Sequence, residues 1–221
     1  MALDPRAVIG VAAVATVTLL ATLVSRQAEH HIVQAGVWFE DVTYETSVLD
    51  ATHGGPLTAE ECATVEALAR DEVIRANAPW RLDVTAARAA HYRVRVVQAF
   101  PPRRGIGAMA VAESHTFGPL GGVGTISFHT LAALAVGYAP AGTSRRDLVE
   151  AMGRGIGRVA AHELAHQILP HGNFHLSTDE ASYDFAGANR TRQFYGPLHW
   201  DLAGRWLEAA LGRRDAVTPS P

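Results

Sequence analysis

The sequence predicts an α+β domain, on three observations. Its 221 residues are enough to enclose one sizeable core. Their composition, 48% apolar and 19% charged, is globular, with no disordered or collagen-like bias. Along the chain the patterns follow in the order strand, helix, several strands, helix, loop, helix, with no internal repeat.

Residues 31–40, "HIVQAGVWFE", read as a first strand, and "TYETSVLDATHGGP" as a loop. In "LTAEECATVEALARDEVIRANAP", Thr58 is a good N-cap, Glu61 three residues on completes a capping box, and Pro79 marks the helix end. "WRLDV" and "HYRVRVVQAF" read as strands, Arg93 and Arg95 alternating with Val94 and Val96 in the second. "PPRRG" reads as a turn, "IGAMAVAES" as a short strand, and Thr125 to Phe128 as a strand behind a glycine-rich turn. That glycine spacing does not fit a phosphate-binding loop, and the glycines are expected to permit a tight turn at a cleft edge.

The next unit, "TSRRDLVEAMGRGIGRVAAHELAHQIL", is the longest helix. Ser144 caps it with Asp147 at the third position, and Leu148, Met152, Ile156, Val159, Ala160, Leu164 and Ile168 form its apolar stripe. Gly153, Gly155 and Gly157 each weaken a helix by about 1 kcal/mol relative to alanine. Close packing against a sheet is the expected compensation. Pro170 stops the helix near Leu169. Residues 171–196 lack periodicity and read as an irregular loop, 198–212 as a final amphipathic helix, and 213–221 as a flexible tail.

A formal net charge of −3 advertises no polycationic surface, so nucleic acid is not an expected partner. The basic pairs Arg145-Arg146 and Arg213-Arg214 read as solvated helix surface. The single cysteine, Cys62, excludes an internal disulfide and a cysteine zinc knuckle, and its helical context suggests a structural role. Residues 7–24, "AVIGVAAVATVTLLATLV", are an uncharged run at the lower length limit of a membrane span. Residues 1–29 are therefore expected to be a signal peptide or a retained anchor, the latter implying membrane association through residues 7–24. Either reading exports the domain at 30–212. The sequence does not define an oligomeric state.

The chemistry concentrates in "HELAHQILPHGNFHLSTDE", residues 162–180. Residues four apart share a helix face, so His162 and His166 can offer two imidazoles to one ion. Glu163 lies about 100° round from His162, within reach of a water but not obliged to bind the metal. That division suits zinc hydrolysis: the metal lowers the pKa of water and polarises the carbonyl, while the carboxylate moves the proton to the leaving nitrogen. The surrounding positions, "GRVAAHELAHQIL", are small or apolar, and burying such polar groups there without a task is costly.

The third ligand is expected from the loop. His175, nine residues after His166, has Gly172 and Asn173 available to turn the chain back and is favoured. His171 and Asp179 are the alternatives, ahead of Glu180, Asp184 and Glu208. If Asp179 is not a ligand, it is expected to orient an imidazole. Tyr183 and Tyr195 are candidate donors to a developing oxyanion; His199 and His115 are expected in packing or capping roles.

The His-Glu-x-x-His motif resembles that of the zincin metalloproteases. The resemblance implies a mixed sheet, a long active-site helix, a zinc ion, and a peptide or protein substrate laid along a sheet edge, here "GVGTISF" or "GAMAVAES". The order of elements is similar to the metzincin branch, but Leu169 and Gly172 stand where that branch has a glycine and a third histidine. No methionine follows Met152, and "SYDF", residues 182–185, is the expected substitute for the methionine turn. Two other readings stay open: a structural zinc site built from His162, His166, His171 and His175, and a peptide-binding domain without activity.

Overall fold

The structure, a computed structural model, describes residues 32–49, 53–100, 111–117, 120–169, 175 and 177–214. The apolar segment 7–24, His171 and the residues after Arg214 lie outside these. No helix among the described residues is long and apolar enough to cross a membrane.

The fold is α+β with a mixed sheet. Strands β1 (Val33–Phe39), β2 (Leu82–Thr85), β3 (Tyr92–Val97), β4 (Ala112–Thr116) and β5 (Gly122–Ser127) stand in the order β2-β1-β3-β5-β4. Neighbours run parallel except β4, which pairs antiparallel with β5 and forms an edge. The alternation in β3 is realised: Val94 and Val96 are fully buried, while Arg95 reaches Thr125 at 3.1 Å and Glu40 at 3.0 Å. The strand expected as Thr125 to Phe128 begins earlier, at Gly122, and the turn before it uses Gly121 at φ +90°, a region glycine enters without strain.

Helix α1 (Ala59–Asn77) has the expected capping box: Glu61 N–H donates to Thr58 Oγ1 at 3.2 Å and Thr58 N–H to Glu61 Oε2 at 2.8 Å. Helix α2 (Phe128–Gly137) was not foreseen. It follows β5 directly, with Ser127 as its N-cap, and its buried face comprises Phe128, Thr130, Leu131, Ala132 and Ala135. The long helix α3 (Arg145–Ile168) is capped by Ser144, whose side chain accepts from Asp147 N–H, and its whole apolar stripe is buried. Helix α4 (Leu202–Leu211) is shorter than expected. Its first turn is closed from afar by buried Asp184, which accepts from the N–H groups of Asp201 and Ala203.

The glycines of α3 do not face the sheet. A side chain at Gly153 would strike Val65 and Leu68 of α1, one at Gly155 would strike Phe194, and one at Gly157 would strike the Ala69 carbonyl and lie 2.6 Å from Glu72 Cβ. Close approach of α1, and of the loop bearing Phe194, is what these residues permit. Gly157→Ala is therefore expected to destabilise the protein although alanine favours helix. Propensity offers about 1 kcal/mol, but the new methyl meets a backbone carbonyl that cannot rotate away, and overpacking costs about 1–3 kcal/mol or more. Urea unfolding should show a net loss of about 1–2 kcal/mol; a gain would mean that the two helices separate freely.

The tail is docked at its start. Arg213 bridges to Trp80, and Arg214 holds the Leu82 carbonyl and Asp83, each at 2.8 Å. The described fold thus includes both arginines, and the pair is exposed but lies beyond the last helix rather than on its surface.

Candidate metal centre

The end of α3 is fixed to the sheet by side chains. Gln167 joins the main chain of β3 as a strand would, accepting from Arg93 N–H and donating to Arg93 O, both at 3.0 Å. On β4, the hydroxyls of Ser114 and Thr116 donate to the carbonyls of Glu163 and His166 at 3.2 Å. Glycine at 124 of β5 admits this approach, since a side chain there would crowd Glu163 Cβ at 3.3 Å.

His162 and His166 then stand one turn apart, and the loop returns His175 to them. His175 Nε2 lies 2.8 Å from His162 Nε2 and 3.0 Å from His166 Nε2. The three side chains form a cluster able to hold a metal ion. His162 Nδ1 is 2.7 Å from the Tyr183 carbonyl, which can only accept, so the proton sits on Nδ1 and Nε2 keeps its lone pair. Burial, reinforced by the neighbouring His166 and His175, pulls the His162 pKa down to about 3, and burial lowers that of His175. Neutral imidazoles are the form that ligates.

The donor set fits zinc. Three ring nitrogens turned toward one point cannot be satisfied by a single shared proton, whereas one cation serves all three. Zn–N bonds of about 2.0–2.1 Å in tetrahedral array place ligand nitrogens about 3.3–3.4 Å apart, so the rings need to spread by only a few tenths of an ångström. Zinc would be held by His162, His166 and His175.

Glu163 is buried beside these histidines and is not part of the cluster. Burial lifts its carboxyl to about 7, with the Ser114 hydroxyl acting in the opposite sense, and a cation on the histidines would pull it back down. A cleft of about 600 Å³ opens over the site. β4 forms one wall, α3 from Arg158 to His166 the floor, and the loop from Tyr183 to Gln193 the other wall.

Other expected site residues are placed elsewhere. The Tyr183 hydroxyl donates to Glu72 at 3.0 Å, and its ring stacks on Trp200. The Tyr195 hydroxyl donates to the Ala135 carbonyl of α2 at 2.7 Å. Each hydroxyl has one proton and directs it there in this arrangement. Tyr183 contributes its main chain instead. Its turn is anchored through Glu72 to buried Arg158, 2.7 Å from that carboxylate, and so holds the carbonyl that orients His162. Asp179 lies 3.3 Å from His199 and accepts from Ala181 N–H, so the imidazole it reaches is that of His199, whereas the partner that orients His162 is the Tyr183 carbonyl. Asp184 caps α4, Glu180 and Glu208 are exposed, and His171 lies outside the described residues. Within "SYDF", the Tyr183 carbonyl and the Asp184 cap lock the turn beside the ligands to α4.

Arg190 and Asn189 of the cleft wall had no signal in the sequence, where they sit in an aperiodic loop. No family model matches the chain, and no curated protein matches it.

Proposed function

We propose that this chain is a zinc-dependent peptide hydrolase of zincin type. The observation that carries the reading is the convergence of His162, His166 and His175 Nε2 atoms with Glu163 buried at the next position, all on one cleft. Zinc in that position supplies Lewis acidity, which acidifies water and polarises a carbonyl. The protein's own part begins with Glu163, which accepts a proton from the attacking water and delivers it to the departing nitrogen. The Tyr183 carbonyl keeps His162 in its ligating tautomer, and Ser114 and Thr116 keep this turn of α3 against β4.

Of the two segments expected to receive substrate, β5 is paired on both sides, whereas β4 ends the sheet among the described residues and lines the cleft. An extended peptide added to β4 would gain main-chain hydrogen bonds and lie across the histidines. The apolar run at residues 7–24 supports an exported setting, secreted or membrane-anchored, for this activity.

The test uses the full-length chain, purified without added zinc. Metal content is measured beside cleavage of an unstructured protein, with and without a chelator. One zinc per chain and chelator-sensitive cleavage are expected. One zinc without turnover on any peptide would favour a structural or inactive site, and no metal uptake would end the metal reading.

A further inference from the structure

The cleft contains a buried positive charge that the proposed mechanism does not use. Arg190 is 5% exposed and lies in the wall facing α3. Its Nη2 donates to the Ser182 carbonyl at 2.9 Å, its Nη1 to the Gly187 carbonyl, and its guanidinium carbon lies 4.6 Å from the Phe185 ring centroid. Its Nε is buried without a hydrogen-bond partner. Among the described residues no carboxylate forms an ion pair with it; Glu180 and Asp179 offset its charge only through space.

Arg158, on the floor of the same cleft, is the informative contrast. It is 2% exposed and also binds main-chain carbonyls, those of Arg192, Gln193 and Gly196, but its charge is matched by Glu72 at 2.7 Å. Bonds to carbonyls therefore do not explain why Arg190 keeps an unmatched charge out of water. Such a charge is costly unless an anion joins it. It lines the same cleft as His162, His166 and His175, so it stands on the side of the cluster that a substrate would occupy.

We propose that Arg190 is a specificity-determining residue that receives a carboxylate of the substrate. This rests on the peptide-hydrolase reading. A peptide along β4 turns alternate residues toward the opposite wall, where the guanidinium offers its remaining N–H donors to an anionic partner. The carboxylate has two sources in a peptide: an acidic side chain or the free C-terminus.

The test uses four short unstructured peptides, differing by Glu or Gln at one position and by a C-terminal acid or amide. Binding is measured to the full-length Glu163→Gln variant, and cleavage by the parent chain. The carboxylate member of one pair should bind roughly 10- to 100-fold more tightly than its neutral partner, and the pair that shows this identifies the source. Arg190→Gln should erase the difference, while Arg190→Lys, which keeps the charge, should retain part of it. Because Arg190 also ties Ser182 and Gly187, melting curves accompany both variants, and if Arg190→Gln does not fold, the paired comparison in the Glu163→Gln chain decides. Equal binding of all four peptides, or a preference that survives Arg190→Gln, would overturn the assignment. Cleavage of all four alike would leave the hydrolase reading standing without the carboxylate site. Carboxylate-dependent binding with no cleavage by the zinc-loaded parent would do the reverse.

Discussion

Glu163→Gln is expected to keep its zinc and to lose peptide hydrolysis by about 10²–10⁴-fold. The metal should stay because the cluster able to hold it is His162, His166 and His175, and Glu163 is not among them. The fold should stay because glutamine has the same shape. Its main-chain carbonyl still accepts from Ser114, and a neutral amide is cheaper to bury than a carboxylate at this site. What disappears is the proton acceptor. A loss of that size corresponds to about 3–5 kcal/mol in the barrier, far above any packing effect of an isosteric change. The checks are zinc per chain by mass spectrometry, a melting curve, and turnover of a peptide that the parent cleaves. A folded variant without zinc would make Glu163 a ligand, and a variant with parental turnover would remove it from the chemistry.

Much of the scaffold was legible in local patterns. Thr58 with Glu61 and Ser144 with Asp147 were recognisable because a cap and the N–H it serves are three residues apart. The pairing of His162 with His166 needs only the helical repeat, and His175 needed only enough loop to return. Helix α2 was missed because nothing separates it from β5: Ser127 ends one element and caps the other, so no turn or loop marks the boundary. The contacts that local patterns did not reveal depend on residues distant in sequence. Gly157 meets Ala69, Tyr183 meets Glu72 across 111 positions, Tyr195 meets α2, and Arg214 meets Asp83. A single sequence shows that such groups are present but not which partner each finds. The orienting contact on His162 was less visible still, because its acceptor is a main-chain carbonyl that every residue possesses.

The loop histidine is where the metal reading is most exposed to test. His175→Ala is expected to weaken zinc binding about a thousandfold while the protein still folds. Apparent zinc affinities of structural sites amount to about 10–16 kcal/mol, so one ligand in three or four is worth about 4 kcal/mol, which is about a thousandfold. Folding should survive because His175 is an exposed loop residue, its ring stacked on His162 and edge-on to His166. Asp179→Ala should leave zinc affinity unchanged, since that carboxylate is placed on His199 and Ala181. Competition with a chromophoric chelator reads the affinity directly. Thermal unfolding gives an independent view: zinc at a hundred times its dissociation constant stabilises the parent by about 2.7 kcal/mol. After a thousandfold weakening the same concentration should give almost no shift. Full zinc retention by His175→Ala would dismiss the loop histidine as a ligand, and loss of zinc in Asp179→Ala would transfer the third position to the carboxylate.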